Sequence, residues 1–315
     1  MSGTVAMEVR PPAASAPPAG RAGSLRQTIA SFWLDALFRA AGSPVITRAF
    51  RPLVLAAGPR VSRRIRHSTA ANARRIFGPD LTPARQREFS RGVVANFYDF
   101  VCDVGQSIHL SRDQLIARIE SVQGKENYQS ACDAGKGIII ATAHMGSFEA
   151  GAAALLDRGQ KMHVVFKRDP TRFEQVRSSL RERLGVIEAA VDDGWTLWLR
   201  LREALQRGEV VMLQADRVMP GQRGAKVPFL HGHLQLPTSP VKLALASGAP
   251  IVPIFAIRKS DGRIRIQIEP PITVEPSDDE IHPALFRFAG VLENYVRAYP
   301  EQWLLLQPAF CEDLA

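Results

Sequence analysis

The chain has 315 residues, of which 46% are hydrophobic and 23% charged, so its composition is that of a folded globular protein and excludes disorder over most of its length. Its three cysteines, Cys102, Cys132 and Cys311, form no CxxC pair, which argues against a disulfide framework or a cysteine zinc site. No uninterrupted apolar run reaches the roughly 18 to 20 residues that would cross a bilayer, and we expect no cleaved secretory signal.

The formal net charge of +9 is concentrated near the N-terminus. Residues 1–91 contain 15 Arg, no Lys and 4 acidic residues, whereas the rest of the chain contains 25 basic and 27 acidic residues. Such an excess suits an anionic surface, either phospholipid head groups, nucleic acid or an acidic protein. No RNP, zinc-finger or helix-turn-helix signature accompanies the arginines, so a membrane surface is favoured and nucleic acid is not the expected partner.

Residues 1–23 are rich in Pro, Ala and Gly and are predicted to be a disordered tail. From Ser24 to Ala41 the large apolar residues Phe32, Trp33 and Leu37 recur at helical spacing, and Gly42-Ser43-Pro44 is the predicted stop. This amphipathic helix either packs on a domain core or lies on a membrane surface. The following arginines, Arg63 and Arg64 among them, favour the membrane.

After residue 44 the hydrophobic pattern first predicts helices, and then strands that alternate with helices. Helices are predicted over 68–78 and 83–104, within a basic N-terminal region that spans residues 24–123. After Gly124, strands at 137–143, 162–166, 186–188, 210–214, 251–257 and 264–269 alternate with helices at 149–158, 172–184, 196–207, 239–247 and 279–298. This predicts an α/β fold with a mostly parallel central sheet and helices on both faces. We expect residues 124–315 to form the α/β core, and residues 24–315 to form one compact unit.

Ligands of such a sheet gather beyond the carboxyl ends of its strands, and His144 follows the first buried strand, GIIIATA. Glu149 lies five residues on, with Gly146 in the intervening turn. If that turn brings imidazole and carboxylate together, the carboxylate fixes the tautomer of the histidine, which can then take a proton from a hydroxyl. The HxxxxE spacing alone is weak evidence, because roughly 0.7 HxxxxD/E matches are expected by chance in a chain of this composition.

Four blocks around this motif make the chain resemble the lipid A biosynthesis late acyltransferases, which belong to the lysophospholipid acyltransferase superfamily and add lauroyl or myristoyl chains. The blocks are AHMGSFEAGA, VVFKRDPTRFEQVRSSLRERLG from Val164, QADRVMPGQRGAKVPFLHGHLQLPTSPVKLALASGAPIVPIF from Gln214, and YVRAYPEQWLL from Tyr295. Their order and spacing match the family over roughly residues 65–305. This collinearity is far more specific than any single motif.

The resemblance implies an O-acyltransferase that moves a fatty acyl chain from acyl carrier protein or coenzyme A to a hydroxyl of a membrane glycolipid. It implies no metal and no cofactor beyond the thioester substrate. His144 would be the general base and Glu149 its orienting partner. Arg168 would contact phosphate, and Asp216 would help to assemble the site. The family's N-terminal hydrophobic anchor falls where this chain has only the amphipathic segment from Ser24 to Ala41, so we expect a peripheral location, on the cytoplasmic face of the bacterial inner membrane.

Two further expectations concern the turn after His144 and the loop at 231–233. Gly146 and Ser147 are predicted to line the substrate site, with backbone N–H groups near Gly146 cradling the oxyanion. His231 and His233 could begin a metal site, but spacing places no third ligand, so an ordinary loop is favoured. Trp195, Trp198 and Leu201 are expected in the core.

Two alternatives to a lipid A-like acceptor stay open. The same catalytic pair could serve a lysophospholipid, glycerol phosphate or a mannosylated lipid. The chain could instead be a non-catalytic module that binds lipid or nucleic acid through its basic N-terminal third. The absence of a GxSxG elbow, a Walker A loop or a GxGxxG turn disfavours hydrolases and nucleotide-dependent enzymes.

Overall fold

The computed structural model describes residues 43–107, 109–149, 160–169, 171–219 and 222–314. The helices are α1 (Pro44–Val61), α2 (Arg63–Phe77), α3 (Pro83–Ser107), α4 (Arg112–Ala117), α5 (Lys125–Asp133), α6 (Arg172–Arg183), α7 (Trp195–Gln206), α8 (Ser239–Ser247) and α9 (Pro283–Ala298). The strands are β1 (Ile119–Gln123), β2 (Ile138–Thr142), β3 (Met162–Phe166), β4 (Ile187–Ala190), β5 (Val210–Gln214), β6 (Gly224–Phe229), β7 (Gly232–Pro237), β8 (Ile251–Arg258) and β9 (Ile264–Ile268).

Seven strands form the central sheet in the order β1-β9-β8-β2-β5-β3-β4. All neighbouring pairs are parallel except β8 and β9, which are antiparallel. The predicted α/β fold with a mostly parallel sheet is therefore confirmed. A separate antiparallel hairpin, β6 and β7, was not predicted from the sequence.

The central strands are buried on both faces because they carry continuous runs of β-branched and aliphatic residues. In β2, Ile139 and Ala141 face a core shared with α3, α7, α8, α9 and the hairpin. Ile138 and Ile140 face a second core, shared with α5. This alternation follows from the two-residue period of a strand, and it places helices on both faces as predicted.

The predicted elements agree with the structure most closely in the buried middle of the chain. The bounds of β3, β5 and α8 are the predicted ones. The predicted helices at 68–78 and 83–104 correspond to α2 and α3. The predicted helices at 24–41 and 149–158 lie outside the described residues, apart from Glu149 at the start of the latter.

Pro44 begins α1, because proline is tolerated in a first turn, where its missing N–H costs nothing. The predicted stop of the preceding helix at Gly42-Ser43-Pro44 stays a prediction, since that helix lies outside the described residues. Two predictions of local structure are wrong. The last helix begins at Pro283 rather than at 279, with the His282 ring accepting the Ala284 N–H as a cap. Trp195 is 72% exposed at the start of α7, whereas Leu201 of the same helix is buried in the core as expected.

The N-terminal helices pack against the sheet through α2 and α3, since Ala73 and Ile76 of α2 and Phe89 and Val93 of α3 join the larger core. β1, on the N-terminal side of the predicted boundary at residue 124, is an edge strand of the sheet and pairs with β9. Within the part of the chain that the structure describes, no helix combines the length and the apolar character needed to cross a bilayer.

Candidate active site

His144 lies just beyond the carboxyl end of β2, in the tight turn that Gly146 makes possible. Gly146 has a φ of +58°, and a Cβ atom built there would lie 2.1 Å from the carbonyl oxygen of Ala256. Only glycine fits both the backbone angle and this close approach. The carbonyl of His144 accepts the N–H of Leu304 over 2.7 Å, so the C-terminal segment holds the turn from outside.

The side chain of His144 is held by Asp216, the second residue after β5. The Nδ1 atom of His144 lies 2.7 Å from Oδ1 of Asp216. The other carboxylate oxygen, Oδ2, accepts the indole N–H of Trp303 over 3.0 Å. Asp216 is 2% exposed, so its charge is satisfied almost entirely by protein groups.

Nδ1 of His144 faces both a carboxylate and a guanidinium, and the shorter contact, with Asp216, assigns the proton to this nitrogen. A carboxylate can only accept, so Nδ1 carries the hydrogen and donates it to Asp216. The guanidinium Nε of Arg217 lies 3.2 Å from the same Nδ1, which places positive charge beside a nitrogen that is already protonated. Nε2 of His144 is left with a free lone pair, the state that a general base requires.

The electrostatics of the site keep the pair in its reactive ionisation state. Burial, together with the positive charges of Arg217 and Arg177, lowers the pKa of His144 below 6.5, although Asp216 acts in the opposite direction. Burial alone would raise the pKa of Asp216, but its contacts with His144, Arg217 and Trp303 outweigh burial and hold the pKa well below its usual range. At neutral pH the imidazole is neutral and Asp216 is ionised.

Glu149 does not make the predicted contact with His144. Its carboxylate pairs instead with the guanidinium of Arg177 on α6. Arg177 also pairs with Glu174, at 2.8 Å. The Glu149 side chain reaches α6 and not the imidazole, and the orienting carboxylate is that of Asp216. Glu149 therefore holds Arg177, which lines the site beside His144.

The predicted roles of Gly146 and Ser147 also differ from what the structure shows. The Gly146 N–H donates to the carbonyl of Gln302, and the Ser147 N–H to that of Ala256, both over 3.0 Å. Neither N–H is therefore free to cradle an oxyanion. Ser147 is 2% exposed, and its hydroxyl donates to Asp103 of α3 over 2.9 Å. Both residues support the turn from behind and do not line the cavity.

The Asp103 carboxylate, which accepts the hydrogen bond of the Ser147 hydroxyl, is the centre of a buried charge network. It accepts hydrogen bonds from Arg118, at 2.6 Å, and from Arg258 at the end of β8, at 3.0 Å. Arg258 also approaches Asp99, which pairs with Arg51 of α1. The network thereby connects the N-terminal helices to the turn that carries His144.

A cavity of about 460 Å³ opens in front of His144. Its size falls within the range typical of small-molecule sites. Four cationic side chains line it: Lys167, Arg168, Arg177 and Arg217. Apolar side chains form much of the remaining wall: Val165, Phe166, Val191, Trp198, Leu213 and Pro237. Two carboxylates, Asp169 and Glu174, also line it, so the cavity offers an apolar lining and an excess of positive over negative side chains.

Arg168 lines this cavity as predicted, but its guanidinium pairs with Asp193, at 2.7 Å, and is 58% exposed. Its contact with phosphate stays a prediction. Arg63 and Arg64 are exposed at the start of α2, whereas the predicted membrane-binding residues Phe32, Trp33 and Leu37 lie outside the described residues.

The histidines of the 231–233 loop have structural partners. The backbone N–H of His231 donates to the backbone carbonyl of Arg75, and Nδ1 of the His233 ring lies 2.6 Å from Oε1 of Glu312. Among the described residues, no group of three or more His, Cys, Asp and Glu side chains could hold a metal ion.

Sequence reasoning missed three functional neighbours of His144. Trp303, Arg217 and Arg177 each contact the His144–Asp216 pair or line the site. Arg217 follows Asp216 directly, so a search of the residues after each strand could have found it. Trp303 and Arg177 reach the site from elements distant in sequence, and no local pattern marks them.

Comparisons with known proteins identify two kinds of acyltransferase to which the chain is similar. A family model described as bacterial lipid A biosynthesis acyltransferase matches residues 25–312. A phosphatidylinositol mannoside acyltransferase of Mycolicibacterium smegmatis is 28% identical over 189 residues, 59% of this chain and 60% of that protein. One from Mycobacterium tuberculosis is 28% identical over 196 residues, 62% of this chain and 61% of the relative. The chain thus spans about three-fifths of the length of these relatives.

Proposed function

Because the chain belongs to the bacterial lipid A biosynthesis acyltransferase family, we propose that it transfers a fatty acyl chain from an acyl thioester to a hydroxyl group of a membrane glycolipid. The observation that carries this proposal is the His144 imidazole, held by buried Asp216 and opening onto a partly apolar cavity. A neutral histidine oriented by a buried carboxylate is the arrangement that activates a hydroxyl nucleophile.

In the proposed reaction, Nε2 of His144 takes the proton of the acceptor hydroxyl as its oxygen attacks the thioester carbonyl. Asp216 stays ionised and stabilises the imidazolium that forms. The C–O bond forms first, giving a tetrahedral oxyanion, and the C–S bond then breaks. The imidazolium returns its proton to the departing thiolate, so His144 is neutral again at the end of the cycle.

The oxyanion needs a positive partner other than the backbone N–H groups of the turn. Arg177 and Arg217 line the cavity on the side of His144, and their charges favour negative charge that develops there. Arg177 is fixed by Glu149 and Glu174, which gives Glu149 an indirect role in the reaction.

Two classes of acceptor have support. The family match over residues 25–312 favours a lipid A-type glycolipid. The mycobacterial relatives, named phosphatidylinositol mannoside acyltransferases, favour a mannosylated phospholipid. Both offer sugar hydroxyls beside phosphate, which suits a cavity lined by Lys167, Arg168 and Arg217. We favour a lipid A-type acceptor, because the family match covers nearly the whole chain.

Purified full-length protein tests this proposal. Radiolabelled acyl-coenzyme A and acyl carrier protein thioesters are offered with a lipid A precursor, a phosphatidylinositol mannoside, a lysophospholipid or glycerol phosphate, and the products are identified by mass spectrometry. We expect transfer to a glycolipid and a loss of about 10² to 10⁴ in rate for His144→Ala. The matched control is His109→Ala, an exposed histidine in a turn. Acylation of none of these acceptors, or an undiminished rate in His144→Ala, contradicts the proposal.

We further propose that the protein binds the membrane peripherally through its N-terminal helices, at the cytoplasmic face of the inner membrane. On α1, the apolar residues Ile46, Phe50 and Leu53 recur at i, i+4 and i+7 and are all exposed. Arg63 and Arg64 follow at the start of α2. An exposed apolar stripe next to cations is the pattern of an interfacial helix on anionic lipid.

Flotation with vesicles that contain anionic phospholipid tests the membrane contact. The double variant Phe50→Ser/Leu53→Ser is expected to lose most of its binding, and Arg63→Gln/Arg64→Gln to bind less well at physiological salt. Phe286→Ser is the matched control, since Phe286 is an exposed aromatic residue on α9. If all variants float equally, these helices do not contact the membrane.

A further inference from the structure

A second groove adjoins the active-site cavity. It lies between α7 and α8 and has a volume of about 580 Å³. Lys167, Val191, Trp198, Gln222 and Ser239 line both this groove and the cavity in front of His144. A ligand in one space can therefore extend into the other.

The groove, which we term the basic groove, carries an excess of positive charge. Its cationic side chains are Lys167, Arg202, Arg223 and Lys242. Asp192 is the one carboxylate among its lining residues that the structure describes, and one of its oxygens accepts the backbone N–H of Arg168, at 2.9 Å. Four positive groups and one negative group thus face the same space, an arrangement that attracts anions.

Among the described residues, the four cations of the basic groove have no salt-bridge partner. Arg202 donates its Nε–H to the carbonyl of Ala246 over 2.9 Å. In contrast, Arg177 in the adjoining cavity pairs with Glu149 and Glu174. Clustered cations without counterions are the usual setting for binding phosphate groups.

Apolar side chains of the same two helices also line the basic groove. They are Leu199 of α7 and Leu243 and Ala246 of α8, and Trp198 lines both this groove and the active-site cavity. An aromatic ring and aliphatic side chains offer a surface on which a flat base can stack. A sugar-phosphate head group would use the cations but leave this apolar surface uncovered, whereas a nucleotide uses both.

We propose that the basic groove binds the phosphorylated nucleotide of a coenzyme A thioester, while the thioester carbonyl reaches His144 in the adjoining cavity. This inference rests on the proposed acyl transfer and specifies its donor. The pantetheine arm would pass the shared boundary at Trp198 and Gln222. The phosphates would contact Arg202 and Lys242, on facing helices, and the base would lie against Leu243 and Ala246.

Binding is measured without catalysis, by calorimetric titration of the full-length His144→Ala protein with free coenzyme A, 3′-dephospho-coenzyme A and 4′-phosphopantetheine. We expect coenzyme A to bind at least about tenfold more tightly than 4′-phosphopantetheine, with 3′-dephospho-coenzyme A between them, since each charge-assisted phosphate contact contributes about that factor. In the same background, Arg202→Gln/Lys242→Gln is expected to remove most of the difference.

The matched control is Arg287→Gln, an exposed arginine on α9 away from both spaces. Since Arg202 and Lys242 are exposed, their variants are expected to fold, and an unchanged melting temperature verifies this. Equal affinity for coenzyme A in the groove variant and the control overturns the proposal.

Two other outcomes also overturn it. In the first, coenzyme A does not bind, and the groove variants raise KM for an acyl carrier protein thioester instead, which assigns the groove to a protein donor. In the second, the variants reduce only the affinity for the glycolipid acceptor. Because the titration needs no turnover, coenzyme A binding by an inactive wild-type protein would refute the proposed function and leave the groove assignment standing.

Discussion

His144 and Asp216 occupy equivalent positions on two adjacent parallel strands. Thr142 at the end of β2 is paired in register with Gln214 at the end of β5, and each functional residue follows its strand by two positions. The Ala215 N–H extends the ladder by donating to Thr142, at 2.8 Å. The carboxylate that orients the imidazole is therefore supplied by strand pairing across 72 residues, and not by the local HxxxxE motif.

This relationship predicts different effects for the two carboxylates near the site. Asp216→Asn removes the ionised partner of Nδ1 and is expected to lower the rate of acyl transfer by about 10² to 10⁴ with the fold retained. Glu149→Gln weakens only the hold on Arg177 and is expected to cost about 1 to 3 kcal/mol of stability, with a smaller loss of rate. Steady-state kinetics and thermal unfolding of both variants are the measurements. A larger rate loss in Glu149→Gln would restore the HxxxxE interpretation.

The lowered pKa of His144 predicts the shape of the pH profile. The general base must be neutral, so kcat/KM should rise as the imidazole loses its proton and become flat above that point. The midpoint is expected below pH 6.5, because burial and the charges of Arg217 and Arg177 disfavour the imidazolium.

Arg217→Gln tests the cause of this shift. Removing a positive charge 3.2 Å from Nδ1 stabilises the imidazolium, so the acidic limb of kcat/KM should move to higher pH. Arg287→Gln, at an exposed residue of α9 that does not line the cavity, should leave the profile in place. A profile that Arg217→Gln does not move would show that Arg217 has no electrostatic effect on the imidazole.

Trp303→Phe tests the support behind Asp216. The variant keeps an aromatic ring but leaves Oδ2 of the buried carboxylate without its 3.0 Å donor. We expect a loss of about 1 to 3 kcal/mol of stability, since a buried acceptor stays unsatisfied, and a fall in kcat of about tenfold. Trp195→Phe, at a residue that is 72% exposed, is the control. Equal behaviour of the two variants would exclude a role for the indole N–H.

Gly146→Ala tests the turn that carries His144. The added methyl group would lie 2.1 Å from the Ala256 carbonyl oxygen, at a φ of +58°, so the backbone must move and the imidazole with it. Gly135→Ala is a matched control, because its φ is +68° and no atom lies within 4 Å of the added carbon. The control should lose only about 1 to 2 kcal/mol, whereas Gly146→Ala should lose more and also most of its activity. Activity and melting temperature of both proteins decide the point.

The sequence predicts the elements of the core well, because their patterns follow from local physics. The buried strands β3 and β5 are short β-branched or aliphatic runs, and α8 carries apolar residues at helical spacing between a proline-containing start and Gly248. The sequence does not predict burial where it depends on a contact with a distant part of the chain. Trp195 has the spacing of a core residue, yet it lies at the start of α7, where nothing in the described chain covers it.

The sequence by itself determined six of the seven strands of the central sheet, the concentration of positive charge near the N-terminus and the position of His144 at the end of a buried strand. Each depends on residue identity or short-range periodicity, which a chain carries before it folds. Only the tertiary structure decided that Asp216 and not Glu149 holds the imidazole, that Trp303 supports that carboxylate, and that four cations share one groove. Those contacts depend on strand register and helix direction, because side chains far apart in sequence meet only when the sheet has formed.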